Sequence, residues 1–74
     1  MVCEYQIKFS YDPQTSKIIA QIPELNLADF GDTFEEAEAN ILKALREYLA
    51  YLRETGRPIP TPEHPSGTVI KITI

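Results

Sequence analysis

Polar and apolar residues alternate from the start of the chain. Cys3, Tyr5, Ile7, Phe9 and Tyr11 fall on one side, and Val2, Glu4, Gln6, Lys8 and Ser10 on the other. A period of two sustained over residues 2–11 predicts a strand with one wet face. "DPQTS", from Asp12 to Ser16, follows with a proline at a turn position and side chains that bond their own backbone. The β-branched "KIIAQI" comes directly after it, so 2–11 and 17–22 should form a hairpin. Pro23 breaks the second strand and Gly31 closes the next segment, which leaves a short third strand over 27–30.

The period then changes. At about 100° per residue, Phe34, Ala37, Ile41, Leu45, Tyr48 and Leu52 share one face, flanked by Leu42, Ala44, Leu49 and Tyr51. Thr33 is placed to cap a first-turn amide and Glu36 to return a bond to the Thr33 amide, while Gly56 is a natural stop. A helix over 34–55 is the consequence. At about 1.5 Å per residue it is as long as a strand of eight or nine residues, enough to cover one sheet face. "RPIPTPEHPSG" carries four prolines in eleven residues, so 57–67 reads as an extended connector. "TVIKITI" alternates again, with Thr68, Ile70, Ile72 and Ile74 on one side, and a strand over 68–74 needs a partner in the N-terminal sheet. The expected class is α+β, in the order β-β-β-α-β: a small, mainly antiparallel sheet with one long helix on one face, in a single domain over 1–74.

A chain of 74 residues holds one core. No apolar run is long enough to cross a bilayer, and "MVCEYQIKF" has neither the basic start nor the apolar stretch of a leader, so a soluble cytoplasmic protein is expected. Eleven acidic against seven basic residues give a net charge of -4, a field that repels phosphate backbones. No direct nucleic-acid contact is expected, and a basic protein partner is electrostatically permitted, although the charge alone does not call for one. An apolar arc wider than one sheet contact requires, together with an isoleucine-rich last strand, predicts self-association as a dimer or tetramer. Glu38, which lies inside the arc, and Tyr51, Ile70 and Ile72 are the expected interface residues.

Chemistry has few candidates. "DFGDTFEEAEANI" packs five carboxylates into thirteen positions. A two-metal hydrolytic site needs three or four carboxylates converging from different elements on ions about 4 Å apart. Here Asp12 belongs to a turn, while Asp32, Glu35 and Glu36 suit the positive end of a helix, which explains them without a metal. His64 stands alone in the connector, Cys3 alone on an apolar face, and no glycine loop is suited to a phosphate. No cofactor, metal ligand or catalytic residue is expected.

"YQIKFSYDPQTSKIIAQIPEL", then "GDTFEEAEANILKALREYL", then an exit through "GRPIP", resembles the N-terminal domain of HicB-type antitoxins over about Tyr5 to Pro60. The resemblance implies a partial ribonuclease-H-like fold without nuclease activity. It also implies a partner: a small basic HicA-like toxin that cleaves messenger RNA through a histidine and is neutralised when its active surface is covered. The acidic residues that would meet such a toxin are Glu24, Asp29, Asp32, Glu35 and Glu36. Two features depart from the family pattern. Pro23-Glu24-Leu25 is followed by Asn26-Leu27-Ala28 where a Pro-Gly-Cys-like step is usual, and no promoter-binding segment follows Ile74, so operator binding is not expected. The alternatives are a stand-alone HicB-like oligomer with another protein partner and a degenerate ribonuclease-H-like nuclease.

Overall fold

A computed structural model describes residues 2–60 and 68–73. The class is α+β. Strands β1 (Val2–Gln6), β2 (Lys8–Asp12) and β3 (Lys17–Ile22) are followed by a 3-10 turn (Pro23–Leu25), strand β4 (Leu27–Gly31), helix α1 (Phe34–Glu54) and strand β5 (Val69–Thr73). β2, β3 and β4 form an antiparallel sheet in that order, and β1 pairs antiparallel with β5, with Cys3 opposite Ile72 and Tyr5 opposite Ile70. The last strand thus joins the N-terminal one, as its unsatisfied backbone requires. His64, Ser66, Ile74 and the larger part of the connector lie outside the described residues.

The first expected strand divides in two at Ile7. The Ile7 amide donates to the Thr68 carbonyl at 2.8 Å, and from Lys8 onward the chain pairs with β3 instead. The segment is longer than either partner, so it changes partner midway. Alternation continues across the break, because Cys3, Tyr5 and Ile7 are all buried.

Local chemistry sets the turns. Asp12 accepts from the Gln14 amide and from the Thr15 hydroxyl, both at 3.0 Å, and Ser16 closes the hairpin at a φ of 58°. Pro23 opens the 3-10 turn, where its fixed φ and missing amide cost nothing, and Leu25 tucks into the core. Asn26 then takes the left-handed conformation at φ 55°, one that asparagine tolerates better than most residues, and β4 begins.

Helix α1 starts as its sequence predicts, with the Glu36 amide donating to the Thr33 hydroxyl at 3.1 Å. Among the described residues the Glu36 carboxylate makes no return bond, so the cap is one-sided. The helix ends at Glu54, and Gly56 at φ 72° reverses the chain: its amide donates to Arg53, and that of Arg57 to Leu52, at 3.3 and 2.8 Å. That pair of bonds is a Schellman motif, which satisfies carbonyls the helix end would leave orphaned.

Ala37, Ile41, Leu45, Leu49 and Leu52 of α1 pack on Ala20 and Ile22 of β3, on Cys3 and Tyr5 of β1 and on Ile72 of β5. Cross-strand register assigns the sheet faces. Phe9, Ala20 and Asp29 form one row and Tyr11, Ile18 and Gly31 another on the helix side, while Ser10, Ile19 and Phe30 face outward. The helix is not centred on this sheet. It lies over β4 and β3, so close to β4 that a Cβ on Gly31 would stand 2.5 Å from the Ala37 nitrogen. The Asn40 side-chain amide also donates to the Phe30 carbonyl at 2.7 Å. The cost of this offset falls on β2, whose inner face is only partly covered. Tyr11 and Phe34, both assigned to apolar faces by their spacing, are 61% and 56% exposed.

Candidate functional site

The carboxylates fall into separate local roles. Asp12 holds the hairpin turn. Asp29 accepts from the amide of its own neighbour Phe30 at 2.8 Å. Asp32 pairs with Lys17, and that hydrogen bond, more than the accompanying charge, raises the lysine above its usual range. Glu35 and Glu36 occupy the first turn of α1, where the unpaired amides favour negative charge. Glu24 sits on the 3-10 turn before β4, and roughly 15 Å of strand separates it from the helix start. The fold therefore brings Asp32, Glu35 and Glu36 together with Asp29 nearby, and leaves Glu24 at the far end. Among the described residues, no group of three His, Cys, Asp or Glu side chains could hold one metal ion.

The expected self-association residues do not share a surface. Ile72 is a correction: it is 4% exposed and packs into the core beside Cys3 of β1, so its side chain is not available to a neighbour. Ile70 is half-buried against the same core. Tyr51 is exposed beneath the Arg57 guanidinium, 5.8 Å from the ring centroid. Glu38 is also exposed, but lies roughly 140° from Tyr51 around the helix axis.

Among the described residues, Tyr5 is the one whose acidity moves far. It is fully buried, and desolvation, reinforced by Cys3, pushes its phenol up to about 12. The hydroxyl donates to the Pro60 carbonyl and so ties the helix exit back to β1. A phenol kept neutral and committed to a backbone carbonyl is an anchor, not an acid or base for chemistry.

Two shallow clefts stand out among the described residues. One of about 310 Å³ is lined by Gln21, Pro23, Asn26, Leu27 and Ala28; the other, of about 240 Å³, opens on the outer sheet face between Ile19 and Phe30. Both lie at or below the small end of ligand sites. The polar groups of the second are already committed, Asp12 to its turn and Lys17 to Asp32.

The surface with unspent contact potential is aromatic. Phe34 packs edge-on against Phe9 with centroids 5.3 Å apart, Tyr11 lies two residues along the same strand face, and Ile18 stands opposite Tyr11. Glu35 follows Phe34, and Glu38 lies one helical turn further on. Charge composition directs attention to the acids and passes over this patch. The available signal was position: Phe34 is the first residue of its helix and Tyr11 is next to a turn, where elements overhang their neighbours.

Among the described residues no helix is long and apolar enough to cross a membrane. Comparisons with protein-family models, with curated proteins and with solved structures find no match.

Proposed function

We propose that this chain is a protein-binding module of the HicB antitoxin type, which neutralises a small basic HicA-like toxin by covering its RNA-cleaving surface. The observation that carries the reading is the exposed aromatic patch of Tyr11 and Phe34 beside the acidic start of α1. Large apolar side chains left uncovered on a small domain are contact surface in waiting, and negative charge beside them selects a basic partner. Each acid among the described residues has a local structural role or an exposed position, which favours binding over hydrolysis. The expected dimer or tetramer belongs to the same proposal. Its support is the outer sheet face, where Phe30 is 57% exposed beside the half-buried Ile19.

In this mechanism the acidic surface speeds encounter and sets orientation, and the buried aromatic anchors supply most of the affinity. The toxin is silenced by exclusion of its messenger RNA, with no chemistry on the antitoxin side. Co-expression tests this directly. A HicA-type toxin that arrests growth when expressed alone should be tolerated with this chain and should purify with it as a stable complex. Continued arrest with both proteins present, and no complex on a sizing column, rejects the antitoxin reading.

A further inference from the structure

We infer that the partly covered inner face at the turn end of β2, where the exposed Tyr11 and Phe34 stand beside the half-buried Phe9 and Ile18 and are edged by Glu35 and Glu38, docks a basic protein segment whose apolar side chain is flanked by arginine or lysine. The inference rests on the protein-binding reading above and names the surface and the chemistry of its occupant. The offset of α1 toward β4 creates the vacancy. Gly31 admits the helix backbone at β4, and the same displacement leaves β2 without a cover at its turn-proximal end. Phe9 and Phe34 meet edge to face and form its floor, while the Tyr11 ring stands 61% exposed at the rim. An apolar side chain inserted beside Tyr11 would complete the layer that the helix covers on β3 and β4.

Charge selects the occupant. Among the described residues the ion pairs are Lys17 with Asp32 and Lys71 with Glu4, so Glu35 and Glu38 have no ion-pair partner and Glu36 feels only the charge of Lys17, which Asp32 already holds. The nearby lysines are committed or averted: Lys17 is bonded to Asp32, and Lys8 lies in the outward-facing register. A second copy is the poorer occupant, because two-fold pairing of this patch would set Glu35 and Glu38 against their own counterparts. Like charges brought together in this way oppose association.

The test uses the full chain, labelled with nitrogen-15, and two synthetic amphipathic peptides with identical leucine spacing, one with arginine and the other with glutamate at the polar positions. The arginine peptide should shift and saturate the amide signals of Tyr11, Ile18, Phe34 and Glu38, and added salt should weaken it; the glutamate peptide should not bind. Tyr11→Ser with Phe34→Ser should lower affinity at least about tenfold, whereas Phe30→Ser on the outer face should leave it unchanged. Glu35→Lys with Glu38→Lys changes only exposed side chains and should transfer preference to the glutamate peptide. Signals that move only around Ile19 and Phe30, or no movement with the arginine peptide, overturn the proposal. Concentration-dependent shifts of Tyr11 and Phe34 in the protein alone overturn it in favour of a second copy. Peptide binding at the patch without relief of toxin arrest rejects the toxin and retains the surface; toxin bound elsewhere rejects the surface and retains the function.

Discussion

Replacing Gly31 by alanine would set a methyl group 2.5 Å from the Ala37 nitrogen and 2.8 Å from the Glu36 carbonyl carbon and Cβ. The first two are backbone atoms in the first turns of α1, so no side chain can rotate out of the way. Restoring an ordinary contact of 3.4 Å requires β4 and the helix to part by roughly 0.9 Å. That displacement lifts Ala37 and Ile41 from the sheet and stretches the 2.7 Å bond from Asn40 to the Phe30 carbonyl. Overpacking of this kind costs about 1–3 kcal/mol, and the weakened hydrogen bond adds up to about 1 kcal/mol. The stiffer unfolded chain returns roughly 0.4–1 kcal/mol, leaving a net loss of about 1–3 kcal/mol. In a domain of this size a loss near 2 kcal/mol lowers Tm by about 10 °C. Urea titration followed by far-ultraviolet circular dichroism measures the difference, with Gly56→Ala as the control. Nothing lies within 4 Å of a Cβ at Gly56, so that variant should lose only the roughly 1 kcal/mol set by its left-handed φ of 72°. A Gly31→Ala protein within about 0.5 kcal/mol of the parent would refute the close approach, and with it the reason given for the offset of the helix.

Tyr5→Phe should cost about 0.5–1.5 kcal/mol by denaturant titration, because it removes the bond to the Pro60 carbonyl, and amide exchange at Ile59 should quicken. The same substitution should flatten the alkaline limb of the stability profile. Burial raises the folded phenol from its usual 10 to about 12, so its contribution is complete below pH 10 and is lost as pH climbs toward 12, where the unfolded tyrosine ionises first. Thr33→Ala removes the acceptor for the Glu36 amide and should cost about 0.5–2 kcal/mol, read as a lower thermal midpoint. Asp32→Asn breaks an ion pair at the surface and should leave the thermal midpoint almost unchanged, with the small difference disappearing in high salt.

Local physics was legible in the residue order. Alternation through Cys3, Tyr5 and Ile7, the Thr33 cap, the Asp12 turn, the Pro23 break and the Gly56 stop each act over a few residues, so the sequence by itself determined the α+β class and nearly every element boundary. Alternation identifies which side chains share a face but carries no information about which strand lies alongside. The exchange of partners at Ile7, and the burial of Ile72 within the β1–β5 pair, were decided only when distant segments met. Coverage is equally non-local. Phe9, Tyr11, Ile18 and Phe34 carry the pattern of a core, yet the close contact at Gly31 draws α1 toward β4 and leaves part of that core facing solvent. Composition supplied the acids, and the fold keeps Asp29, Asp32, Glu35 and Glu36 around the start of α1 while leaving Glu24 a strand's length away. An acidic surface can be counted from a sequence, but its neighbours depend on where the backbone of one element lets another approach.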